Sequence, residues 1–71
     1  MLVQFTIDSD TLGVVSPIWI NPMNVTDVTP SEFSEDTAIK TVSDSTIFVK
    51  ENVELVVTRL NEALLILTGR R

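Results

Sequence analysis

The sequence predicts a small α+β domain: an antiparallel β-meander of four to five strands with one C-terminal helix packed on the sheet. Three observations predict it. Apolar residues alternate with period two in several short runs before Lys50. Clusters of Gly, Pro, Asn, Asp and Ser separate those runs. After Asn52 the apolar period changes to 3.6 and holds to Leu67. A chain of 71 residues is one domain, spanning 1–71, with strands over about 2–50 and the helix over about 53–67.

The first run, Leu2–Ile7, places Val3, Phe5 and Ile7 on one face. The segment DSDTLG, Asp8 to Gly13, is turn chemistry, with acids suited to Asx turns and a glycine free to take positive φ. The second run, Val14–Asn21, contains Pro17, which has no N–H for a ladder. That strand is expected at an edge, or interrupted there. Asn21-Pro22 ends it. A short third strand over Val25–Thr29 closes at Pro30, and the polar SEFSED loop, Ser31–Asp36, carries one apolar tip, Phe33. Thr37–Val42 and Thr46–Lys50 form a hairpin about the Ser43-Asp44-Ser45 turn. Asn52 is a helix cap, Glu54 lies favourably in the first turn, and Gly69 is a stop signal.

The helix carries more apolar residues than one buried face needs: ten from Val53 to Leu67. In projection, Val53, Val56, Val57, Leu60, Ala63, Leu64 and Leu67 share an arc of about 120°, the width of a core-facing stripe. Leu55 and Ile66 fall on the opposite side. Arg59 and Glu62 lie between them at 4, 3, 4 spacing, as in a coiled-coil seam. A second copy turned antiparallel about a two-fold axis sets Leu55 against Ile66 and Arg59 against Glu62. An isologous interface requires such self-complementarity. The competing account is plain: Leu55 and Ile66 are ordinary exposed apolars, and Arg59 pairs with Glu62 within one helix. Short chains need extra burial, which favours the interface. Trp19 joins the expected interface residues. If Ile18 and Ile20 face the core, Trp19 points outward from an edge strand, as a binding anchor does; a covered Trp is the alternative.

Composition narrows the chemistry. The chain has neither cysteine nor histidine, so a disulfide, a thiolate site, the usual metal ligand and the usual neutral-pH base are all absent. The two glycines make no phosphate-binding loop. DSDTLG starts like a calcium loop, but it has Leu12 at position 5 and Trp19 where a bidentate Glu belongs. Glu32, Glu35 and Asp36 read as a solvated acidic loop rather than a weak cation site. No serine or threonine has a base partner by pattern, and a Ser–Lys dyad through Lys40 or Lys50 has no support. No catalytic residue, metal site or cofactor is therefore expected. The net charge of -5 argues against nucleic acid, and the Arg70-Arg71 pair reads as solvated. MLVQFTI has no basic region before a long apolar run, and no run reaches the ~18 residues of a span. A cytoplasmic chain without a membrane span is expected.

Two motifs carry a resemblance. One is Ile20-Asn21-Pro22-Met23-Asn24-Val25-Thr26-Asp27-Val28, with the pattern I-N-P-x-x-I/V-x-x-V. The other is Val49-Lys50-Glu51-Asn52-Val53-Glu54-Leu55-Val56, a hairpin-to-helix junction. Together they resemble the FlbD-like (SwrD-like) small proteins of flagellar operons and similar short phage-encoded proteins. The resemblance covers roughly the last two thirds of the chain; the opening hairpin matches poorly, and Asp44-Ser45 stands where Gly is common. It implies an accessory role without enzymatic activity and supplies no catalytic residues. The expected function is a small regulatory or accessory protein-binding module acting as a homo-oligomer, a dimer or higher, with a host or assembly protein as a further partner. The alternatives are a structural or assembly subunit, such as a small virion component, and a phage-encoded inhibitor that binds a host protein or ligand.

Overall fold

The computed structural model describes residues 1–9, 13–32 and 34–69, with Thr68 by its backbone alone. The centre of the DSDTLG turn, the Phe33 tip and the Arg70-Arg71 pair lie outside the described residues. The elements follow the expected order: β1 (Val3–Asp8), β2 (Val15–Ile20), a 3-10 turn (Pro22–Asn24), β3 (Val25–Pro30), β4 (Thr37–Thr41), β5 (Thr46–Val49) and α1 (Val53–Thr68). All strand pairs are antiparallel, and the helix packs on the strands.

The strands do not form one continuous meander. They divide into a β1–β2 ribbon and a three-stranded sheet ordered β3-β4-β5. The reason lies at the end of β5. The Lys50 N–H donates to the Thr6 carbonyl at 2.7 Å, as a ladder bond would. The next partner is a side chain instead of backbone. The Glu51 carboxylate accepts from Thr6 N and Thr6 Oγ1, both at 3.0 Å. Backbone pairing stops there, and the Glu51 side chain clips the ribbon to the sheet. The Glu51 carbonyl meanwhile accepts from Thr37 Oγ1 at 2.7 Å, which satisfies the one polar side chain buried in the core among the described residues.

Pro17 sits on β2, an outer strand of its ribbon, where its missing N–H faces no neighbour. Asn21 caps the 3-10 turn through its side chain, and Pro22 holds the first position and is buried. In β3 a register shift falls between Val25 and Asp27. A bulge of this kind adds one residue, so Val25 and Val28, three apart, both pack against the core. In the β4–β5 turn Asp44 adopts φ 65°, a left-handed conformation that Asp tolerates and Gly adopts freely.

Phe5 and Ile20 from the ribbon meet Ile39 and Val49 from the sheet under Val56 and Leu60 of α1. The Asn52 side chain caps α1 by accepting from Leu55 N at 2.8 Å, and Gly69 ends it at φ 70°. The buried stripe is narrower than the sequence suggests. Val56, Leu60 and Ala63 are buried, but Val57 and Leu67 are each 40% exposed. The helix is rotated so that its buried face centres on Val56, Leu60 and Ala63, and Val57 falls about 100° round from Val56. Leu65, which the two stripes left unplaced, points away from the core and is largely exposed. Among the described residues no helix is long and apolar enough to cross a membrane.

Candidate interaction site

The flank of α1 that carries Arg59, Glu62 and Ile66 faces β1. Between them runs an open groove of about 590 Å³, with Met1, Leu2, Val3 and Gln4 along its other side. Ile66 is 65% exposed and Leu2 is 59% exposed, so the groove has apolar walls at one end. At the other end lie Thr6 and Glu51. Helical geometry places Leu55 on the same flank, one turn before Arg59, where it is partly exposed. The structure thus brings the four expected helix residues onto one face.

Arg59 has a job inside the chain as well. Its Nη1 donates to the Gln4 carbonyl at 3.0 Å and lies 3.7 Å from Glu51 Oε2. Its guanidinium carbon stands 5.8 Å from the Phe5 ring centre, within cation–π range. Arg59 therefore turns back toward β1 and Glu51 and makes no ion pair with Glu62. Glu62 has no ion-pair partner among the described residues. The guanidinium has five donors and uses few of them here.

Trp19 is 55% exposed, with its side chain on the outer face of the ribbon opposite Gln4. The outward orientation matches the sequence expectation, but the strand β1 separates Trp19 from the groove. On that outer face it neighbours Gln4, and Val15 and Pro17 follow it along β2.

The groove residues that sequence reasoning missed are Leu2, Gln4 and Glu51. A signal for the first two was present. In β1 the odd residues face the core, so Leu2 and Gln4 point outward, and Leu2 is an apolar residue out of phase. Glu51 gave no comparable signal, because its role depends on Thr6, 45 residues away.

The acidic loop is used structurally. Lys50 Nζ lies 3.2 Å from Asp36 and 3.4 Å from Asp8, joining the loop to the end of β1. The hydrogen bond and charge of Asp36, followed by the charge of Asp8, raise the Lys50 pKa above its ordinary value. Ser34 Oγ accepts from Asp36 N, and Asp36 O accepts from Ser31 N, closing the loop on itself. Among the described residues no three acidic groups converge to hold a metal ion. Comparison with protein-family models, with curated proteins and with solved structures gives no match.

Proposed function

We propose that this chain is an accessory or regulatory protein-binding module without enzymatic activity, and that it acts as a homo-oligomer. One observation carries the reading. Leu2 and Ile66, both mostly exposed, line opposite walls of the groove in a chain too short to waste apolar area. Glu62, with no ion-pair partner among the described residues, supplies the polar component that would fix register. The FlbD-like resemblance supports an accessory role, and the structure gives its two motifs architectural tasks: Asn21-Pro22 makes a turn, and Lys50-Glu51-Asn52 makes a junction.

The test is mass by light scattering after size-exclusion chromatography. Wild type is expected to be larger than one chain at high micromolar concentration. Glu62→Arg and Ile66→Glu are each expected to shift it toward the monomer while leaving helix content intact. A wild type that stays monomeric would sink the homo-oligomer.

A second reading, the structural or assembly subunit, is favoured by a separate observation. Trp19 stands on β2, separated from the groove by β1. An assembly subunit needs two surfaces, whereas a simple dimer needs one. Sedimentation of wild type but not Trp19→Ser as higher-order species would favour it.

A further inference from the structure

We infer that two copies of this chain join along the outer edge of β1, with one two-fold axis pairing β1 with β1 and α1 with α1. The inference rests on the homo-oligomer reading and deepens it, because it names the partner surface and its register.

The argument starts from backbone parity. Successive residues of a strand point their N–H and C=O groups to opposite edges. The Thr6 N–H and C=O are used on the outer edge of β1, by Glu51 and Lys50, and the Gln4 carbonyl is reached there by Arg59. The even residues therefore address the groove, while Val3, Phe5 and Ile7 face β2 in the ribbon. Glu51 and Lys50 close this edge at Thr6 only. The N–H groups of Leu2 and Gln4 find no acceptor among the described residues, and an unpaired strand edge is a template for another strand.

The register then follows. An antiparallel pair centred on Val3 places Leu2 opposite Gln4 of the second copy, and Gln4 opposite Leu2. Both are pairs whose N–H and C=O groups point across the axis, so four hydrogen bonds form. The Gln4 carbonyl can accept one of them beside its bond to Arg59, since a carbonyl has two lone pairs.

The helix agrees with the same axis. The seam of Leu55, Arg59, Glu62 and Ile66 is centred between residues 60 and 61. In the structure Arg59 lies at Gln4, and Ala63 and Ile66, further along the helix, line the same groove as Met1–Val3, which sets the centre of the seam alongside the Val3–Gln4 stretch. One axis at that level brings Arg59 to Glu62 of the second copy, cation to anion, twice. It also brings Leu55 to Ile66. Charge complementarity and strand parity select the same occupant: a second copy, with its ribbon continuing the first into four strands ordered β2-β1-β1-β2.

The experiment combines amide hydrogen exchange with mass measurement on the full chain. In wild type the Leu2 and Gln4 amides should exchange at least tenfold more slowly at high micromolar concentration than after dilution. The Phe5 amide, inside the ribbon, should be slow at both. Gln4→Pro removes the N–H that only the second copy uses and should yield a monomer with unchanged helix content. If that variant does not fold, the wild-type exchange decides alone. A dimer that Ile66→Glu dissociates, yet whose Leu2 and Gln4 amides ignore concentration, would overturn the strand pairing and leave the homo-oligomer standing. A wild type that is monomeric throughout would overturn both.

Discussion

The two ends of α1 are built on different terms. At its start, polar groups are joined to one another across the chain: Asn52 to Leu55 N, Glu51 to Thr6 and Arg59, Thr37 to Glu51, Lys50 to Asp8 and Asp36. At its far end, Ile66, Leu65 and Leu67 stand exposed, beside exposed Met1 and Leu2. The first end is complete within one chain. The second spends apolar side chains on surface that water must cover. The difference teaches that stability and association are separated along one helix, so they should respond to different substitutions.

Four substitutions or conditions probe that separation. The largest effect is expected from Leu60→Ala, in the buried middle between the two ends. Such truncations cost about 2–5 kcal/mol, a large share of what a small domain has. Denaturant unfolding should show it, and a loss well under 1 kcal/mol would mean that the helix packs by another face.

Next comes Glu51→Ala. It strands the Thr6 N–H and hydroxyl and leaves Arg59 without its acidic neighbour. A lost partner for such part-buried groups costs about 1–3 kcal/mol. The same unfolding measurement at low protein concentration tests it, because the effect must persist in the monomer. For the same reason Arg59 is a poor probe of association, since reversing its charge sets two carboxylates together at the junction.

A smaller effect on the fold itself is expected from Leu2→Gln at the other end. Measured in dilute protein, stability should change within about 0.5 kcal/mol. In concentrated protein the melting temperature should fall relative to wild type, because association no longer stabilises the folded state. Equal effects at both concentrations would erase the distinction between the ends.

The smallest effect concerns Lys50. Its pKa is raised in the folded chain above the ordinary 10.5. The stability it contributes is therefore fully present below that pH and is lost as pH rises through the higher folded value. Lys50 and Asp8 are exposed and only Asp36 is largely covered, so solvent screens the pairs and the loss should be slight. A stability profile in alkaline buffer should flatten in Lys50→Met relative to wild type.

Most of the elements were legible because they rest on local signals. The change from period two to 3.6 marks the start of α1, and Asn52 and Gly69 mark its ends. Pro17 correctly points to an edge strand. The bulge in β3 was not read from the sequence, because the spacing of Val25 and Val28 reveals it only once both are known to face inward. What was not legible depends on distant partners. The ribbon meets the sheet through contacts such as Thr6 to Glu51, 45 residues apart in the chain. The rotation of α1, which leaves Val57 and Leu67 partly exposed, is set by the strands beneath it and not by the helix pattern. The helix stripe of the candidate site was legible from periodicity, but its neighbours on β1 needed the register of the ribbon.

The Glu51 clip also bears on how the chain reaches its fold. Each ribbon and hairpin closes over a short stretch, a matter of microseconds for such local structure. Joining the two sheets requires Thr6 to find Glu51, 45 residues later, and long closures are entropically slow. We expect this long-range contact to form at the barrier. Loss of the Glu51 carboxylate should then slow refolding more than it speeds unfolding, which makes this residue a timing element as much as a fastener.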